Sequence, residues 1–96
     1  MARRILRLSK TLNRTLSGLG VIRPSPRHGA LGAAVVALVD AVDLPGPADF
    51  ETTFAPGYVH VRRVSGFNLW ILYRFDATFL DVMSVRDTPP TPVDRG

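Results

Sequence analysis

The last third of the chain contains three short apolar runs separated by turn residues. The runs are YVHVRRV, FNLWILYRF and FLDVMSVR, and turn residues at 65–66 and 76–78 join them. Valine, isoleucine and aromatic residues dominate the runs, and connections this short are typical of hairpins. Antiparallel neighbours need no crossover helix. The pattern therefore predicts a three-stranded antiparallel meander over residues 58–86.

The N-terminal segment allows two interpretations. Its apolar positions recur every three or four residues: Ile5, Leu8, Leu12, Leu16 and Leu19. This spacing is typical of one amphipathic helix. Alternatively, residues 4–8 form a short strand, Ser9 caps a helix, and the helix ends at Gly18. We favour the strand and helix, because this interpretation has both a cap and a stop signal.

The middle of the chain predicts a second helix and a long loop. Residues 29–42 are almost entirely alanine, leucine and valine, so this helix is expected to be buried nearly all round. The prolines at 22–28 indicate a connector before it, and those at 45 and 47 end it. Residues 44–57 are then expected to form a loop, with Phe50 and Phe54 as its anchors on the core.

These elements predict a single α+β domain at residues 1–88. A short N-terminal strand and two helices pack on the C-terminal antiparallel three-stranded meander. Residues 89–96 are rich in proline and polar side chains. They are expected to form a flexible C-terminal tail.

Alternation along the central predicted strand divides its side chains between two faces. One set should lie under the helices: Phe67, Leu69, Ile71, Tyr73 and Phe75. Trp70 and Leu72 share the other face with Arg74. Because a partner normally covers an apolar patch of this kind, Trp70 and Leu72 are predicted to bind a partner protein. The alternative is that Trp70 caps the core at the edge of the sheet.

Composition limits the class of protein. The chain has 96 residues and no cysteine, which allows one core and excludes disulfides and thiolate metal sites. No apolar run reaches the roughly 18 residues that span a bilayer, and basic residues interrupt any window for a signal peptide. We expect a cytoplasmic protein that contacts no membrane and uses no metal or cofactor.

Positive charge is concentrated at the N-terminus. The net charge is +4, but residues 1–28 contain seven Arg or Lys residues and no acid. Such a segment favours nucleic acid, an acidic protein or an anionic surface as its partner. The basic N-terminal arm consists of Arg3, Arg4, Arg7, Lys10 and Arg14. In a nucleic-acid-binding adaptor these side chains would contact phosphates.

Few residues predict catalysis. The chain has no CxxC, HxxxH, glycine-rich phosphate loop or GxSxG motif. His28 and His60 have no carboxylate nearby in sequence to orient them, which favours structural roles. Asp76 and Asp81 are expected at solvated hairpin positions. If the chain does chemistry, its arginines are the better candidates, because they would stabilise charge that develops on a phosphate.

The segment VRRVSGFNLWILYRFDATFLDVMSVRD resembles the core of the RelE/ParE superfamily of small bacterial toxins from type II toxin–antitoxin pairs. The likeness lies in an aromatic-rich strand with a Tyr-Arg pair, a tight turn, and a last strand that ends in a basic residue. It covers residues 58–87, and earlier residues agree only in the order of elements. The resemblance implies a toxin that inhibits growth, and a cognate antitoxin that neutralises it in a hetero-oligomer.

The two branches of that superfamily imply different activities. RelE-like members are ribosome-dependent, metal-independent messenger RNA endonucleases, and for them Arg63, Arg74 and Arg86 are the catalytic candidates. Nothing after Tyr73 is Tyr or His, which departs from their acid–base pattern. ParE-like members lack that catalytic set and bind DNA gyrase. The resemblance therefore favours a noncatalytic ParE-like toxin, with Arg62 joining the same three arginines in target binding.

Three alternatives remain open at this point. The first is the RelE-like nuclease acting on the ribosome. The second is a small basic nucleic-acid-binding adaptor, and the third is a structural partner or antitoxin-like subunit whose apolar helix becomes ordered only on association.

Overall fold

The computed structural model describes residues 3–20, 25–54 and 57–93. These residues form five strands and two helices. In chain order the elements are β1 (Ile5–Leu8), α1 (Leu12–Gly18), α2 (Pro26–Asp40), β2 (Phe50–Phe54), β3 (Gly57–Arg63), β4 (Trp70–Phe75) and β5 (Phe79–Arg86).

The strands form one mixed sheet in the order β1-β5-β4-β3-β2. β1 pairs parallel to β5, and all the other pairs are antiparallel. The prediction of a three-stranded meander packed on two helices is therefore wrong, although the α+β class holds. Two strands extend the sheet beyond the meander, namely β1 at one edge and β2 at the other.

β2 lies within the segment that was predicted to be a loop. Its sequence, FETTF, alternates between two faces, and Phe50 and Thr52 pair with Val61 and Val59 of β3. The prolines and glycine on either side favoured a loop. The two-residue period of Phe50, Thr52 and Phe54 was the signal for a strand.

The N-terminal segment is a strand followed by a helix. Ser9 does not cap α1, because the N-cap position is Thr11, whose side chain makes no capping hydrogen bond. The backbone N–H of Ser9 instead donates to the carbonyl of Val82 at 3.1 Å. The residue that was predicted to begin the helix therefore extends the pairing of β1 with β5.

α2 begins at Pro26 and ends at Asp40, so it starts earlier than predicted. The Ser25 hydroxyl accepts a hydrogen bond from the His28 N–H at 3.1 Å, and proline suits the first turn. Leu31 and Leu38 are buried, whereas Val36 on the outer side is 51% exposed. The expectation that this helix is buried nearly all round is therefore wrong. The predicted connector at residues 22–28 is described only from Ser25 onward.

Both helices pack on one side of the sheet, the helix side. The core there is formed by Leu12, Leu31, Leu38, Val39, Val64, Leu69, Ile71, Tyr73, Leu80, Val82 and Val85. The opposite side, the far side, has its own cluster, in which Phe50, Phe54, Trp70 and Met83 pack around Val59, Val61 and Leu72. A sheet with apolar residues on both sides requires cover on both.

Leu72 lies at the centre of the far-side cluster and is 0% exposed. The chain itself covers Leu72, so the expectation that it is exposed to a partner is wrong. β4 also lies between β3 and β5. No partner strand can therefore be added beside it, and of the two predicted partner-binding residues Trp70 is half-buried and Leu72 is buried.

The described part of the C-terminal tail lies along β2. The Thr52 hydroxyl donates to the carbonyl of Thr91 at 2.8 Å, and the Val93 N–H donates to the carbonyl of Glu51 at 2.9 Å. Pro90 is buried. As far as Val93, the segment predicted to be flexible is attached to the sheet and protects the edge formed by β2.

Candidate functional site

Three residues form a row across the end of the sheet on its far side. Arg63 of β3 pairs with Trp70 of β4, and Trp70 pairs with Arg86 of β5. Directly paired residues project from the same face with Cβ atoms about 5 Å apart, so an arginine stands on each side of the indole. We call Arg63, Trp70 and Arg86 the arginine–tryptophan row.

The charges of this row are accessible. Arg63 and Arg86 are exposed, and neither forms a salt bridge with any other residue that the structure describes. The Arg63 guanidinium carbon lies 5.8 Å from the centroid of the Trp70 ring, a separation at which cation and ring attract. The N–H groups of this guanidinium remain available to an oxyanion.

The other predicted sheet arginines do not join the row. Arg74 lies four residues beyond Trp70 on the same strand, so it is displaced by about 13 Å along the sheet at roughly 3.3 Å per residue. Its Nε donates to the carbonyl of Tyr58 at 3.1 Å, and its Nη2 donates to that of Phe54 at 3.3 Å. Arg63, Arg74 and Arg86 therefore do not converge on one phosphate.

Arg62 points to the helix side, where it belongs to a buried polar cluster. Its Nε and Nη2 donate to the two carboxylate oxygens of Asp49, each at 2.9 Å. The same carboxylate accepts the Tyr73 hydroxyl at 2.5 Å and the Gly46 N–H at 2.8 Å. We call Asp49, Arg62, Tyr73 and Gly46 the Asp49 cluster. It fastens the loop after α2 to strands β3 and β4.

The environment of the Asp49 cluster shifts the proton affinities of its members. Burial alone would raise the pKa of Asp49, but hydrogen bonds from Arg62, Tyr73 and Gly46 outweigh it and lower this pKa below its usual value. Burial and the hydrogen bond to Asp49 raise the pKa of Tyr73. Tyr73 is fully buried. At neutral pH the phenol therefore stays protonated, as a donor to a carboxylate that stays ionised.

Gly46 leaves room for the close packing of this cluster. A Cβ atom at this position would collide with Nη2 of Arg62 and press on the Asp49 carboxylate. Gly46 lies between the two prolines that predict the end of the helix, and Asp49 lies in the predicted loop at residues 44–57, so neither position indicated their joint role. The signal was a carboxylate close after a Pro-Gly-Pro turn, followed by an arginine on a strand.

The basic N-terminal arm is largely occupied by contacts within the chain. Arg4 is 8% exposed, and it donates to the carbonyls of Asp76 and Ala41, each at 2.7 Å. Arg7 forms a bidentate pair with Asp81 of β5. Nη1 of Arg3 lies 3.4 Å from Oδ1 of Asp40. Only Lys10 and Arg14 are exposed without an ion pair among the residues described. This disfavours an arm that reaches out to phosphates.

The two histidines lie on the helix side. His60 packs against Tyr73 and Phe75 with ring centroids 5.5 and 5.3 Å apart, and its buried Nδ1 has no hydrogen-bond partner among the described residues. His28 lies in the first turn of α2. Neither histidine belongs to the arginine–tryptophan row.

No group of three or more potential metal-ligating side chains occurs within residues 3–20, 25–54 and 57–93. Neither helix of the described chain has the length and apolar character that a membrane span requires.

Comparisons with known proteins leave the family of this chain open. The sequence matches no protein-family model, and no curated protein or solved structure is significantly similar to it. The resemblance to the RelE/ParE superfamily therefore stays a prediction from the sequence.

Proposed function

We propose that this chain is a toxin of a type II toxin–antitoxin pair that acts by protein contact, as ParE-like toxins do. In this proposal the arginine–tryptophan row binds an acidic segment of the target protein. DNA gyrase is the target class that the sequence resemblance favours, and a cognate antitoxin neutralises the toxin in a hetero-oligomer.

The observation that carries this proposal is the placement of Arg63 and Arg86 on either side of Trp70. Arginine and tryptophan are the residues most enriched at the energetic centres of protein interfaces. A guanidinium that rests on an aromatic ring can bind a carboxylate through two parallel N–H bonds. The row therefore supplies charge and apolar area together, as an acidic segment with large side chains requires.

The nuclease alternative has less support from the geometry. A ribosome-dependent nuclease of this type needs several basic groups on one phosphate and a group that transfers the proton of the 2′-hydroxyl. Arg74 lies away from the row, as described above. A guanidinium group is a poor general acid or base, so the row contains no group suited to transfer that proton.

Growth of bacteria that express the chain tests the proposal. We expect expression to arrest growth and the double substitution Arg63→Ala with Arg86→Ala to relieve the arrest. Arg14→Ala is the matched control, because Arg14 is an exposed arginine outside the row, and it should leave the arrest unchanged. No arrest by the parent chain, or equal arrest by the double variant, would contradict the proposal.

Primer extension on messages from the same cells separates the two toxin mechanisms. We expect no new 5′ ends after induction, because the row lacks a proton-transfer group. Cuts at fixed codon positions that vanish in Arg86→Ala would instead establish the nuclease and refute action by protein contact alone.

A further inference from the structure

The edge of the sheet formed by β1 is open, and an apolar groove lies beside it. β1 pairs only with β5 and is the last strand of the described sheet on that side. Leu6 is 41% exposed and Leu8 is 55% exposed. Leucines and valines of β1, α1 and α2 line the groove, among them Leu6, Leu8, Leu16 and Val36, and its volume is about 290 Å³.

Two residues of β1 direct their backbone N–H and C=O groups away from β5. Ile5 and Ser9 donate their N–H groups to the carbonyls of Thr78 and Val82 on β5. In a parallel pair of strands, residues whose backbone groups bond to the neighbouring strand alternate with residues whose backbone groups point away from it. Leu6 and Leu8 therefore present both N–H and C=O to the open edge, and their side chains lie on the helix side, where the groove is.

We propose that the open edge of β1 and its apolar groove bind an extended acidic segment of a partner protein as an added strand. The backbone of Leu6 and Leu8 would supply the hydrogen bonds, and the groove would accept alternate side chains of the segment. This site is separate from the arginine–tryptophan row and does not depend on the function proposed for the row.

Charge selects an acidic partner rather than a second copy of this chain. Lys10 and Arg14 are close to the groove in sequence, exposed, and without an ion pair to any described residue. Two copies joined through β1 would bring these unpaired cations together, and like charges repel. An acidic segment would neutralise them instead.

A matched pair of variants tests the site. Val36 lines the groove, whereas Val42 lies outside it and is 75% exposed. Val36→Glu should weaken binding of a peptide of about ten residues that alternates glutamate and valine. We expect a Kd at least about tenfold higher. Val42→Glu should bind as the parent chain does. Equal binding by both variants would exclude the groove.

Amide exchange measured by NMR on the intact chain tests the edge. The peptide should slow exchange at the N–H groups of Leu6 and Leu8 more than at Arg7, which already faces β5. A peptide that alternates lysine and valine should not bind. The proposal is overturned if neither amide is protected, if the lysine peptide protects them equally, or if they become protected by self-association at rising protein concentration without peptide.

Discussion

Two arginine–aspartate pairs in this molecule have similar bidentate geometry and very different surroundings. Arg62 holds the carboxylate of Asp49, whose side chain is 2% exposed, and Arg7 holds that of Asp81, whose side chain is 27% exposed. The Asp49 carboxylate also accepts bonds from Tyr73 and Gly46. Burial and additional donors, rather than the shape of the pair, therefore decide how much each pair stabilises the fold.

The largest effect is expected from Asp49→Ala. This change leaves Arg62, the Tyr73 hydroxyl and the Gly46 N–H without their shared acceptor. Breaking a buried pair costs about 3–5 kcal/mol, a large part of the roughly 5–15 kcal/mol that stabilises a small domain. Urea denaturation measures the loss. Asp43→Ala is the control, because Asp43 is an exposed acid of the same loop. Equal losses of unfolding free energy in the two variants would show that the Asp49 cluster does not stabilise the fold.

Acid should remove the stability that the Asp49 carboxylate contributes, and the pH at which this happens should show that Asp49 is the group responsible. The pKa of Asp49 is lower in the folded chain than in the unfolded chain. The ionised carboxylate therefore contributes fully to the free energy of unfolding above the unfolded pKa of about 4. This contribution is lost as the pH falls through the lower pKa of the folded chain. In urea denaturation, the stability difference between the parent chain and Asp49→Asn should therefore shrink below about pH 4. A difference that stays constant down to about pH 2 would contradict this assignment.

The smallest effect is expected from Asp81→Ala. Arg7 and Asp81 both reach solvent, and solvent-exposed pairs contribute little because water and salt screen them. The melting temperature should fall far less than in Asp49→Ala, and the remaining difference should vanish at about 1 M salt, where screening acts within about 3 Å. A fall in melting temperature as large as that of Asp49→Ala would mean that the Arg7–Asp81 pair stabilises the fold as strongly as a buried pair does.

Much of the fold could be predicted from local patterns. Alternation in FNLWILYRF divides side chains between two faces, and Leu69, Ile71 and Tyr73 do lie in the helix-side core. Alternation cannot reveal what covers the second face. The chain covers Leu72 there with side chains of neighbouring strands, among them Val59, Val61 and Phe50, and pairing between distant strands leaves no signal in the sequence of either one.

The candidate site was only partly predictable for the same reason. Arg62 and Arg63 are neighbours in sequence and look equivalent there. Alternation along β3 sends Arg62 to Asp49 on the helix side and Arg63 to Trp70 on the far side. Which arginine is free depends on a carboxylate in a loop thirteen residues earlier, and spacing alone does not show that contact.

The parallel pairing of β1 with β5 has a consequence for synthesis on the ribosome. β1 is synthesised well before β5, the strand to which it bonds. Arg4 likewise donates a hydrogen bond to the carbonyl of Asp76, a residue that is synthesised much later. Contacts between such distant residues form slowly, since the loop between them must close first. β1 is therefore without its sheet neighbour until β5 has been synthesised, and the domain closes only then.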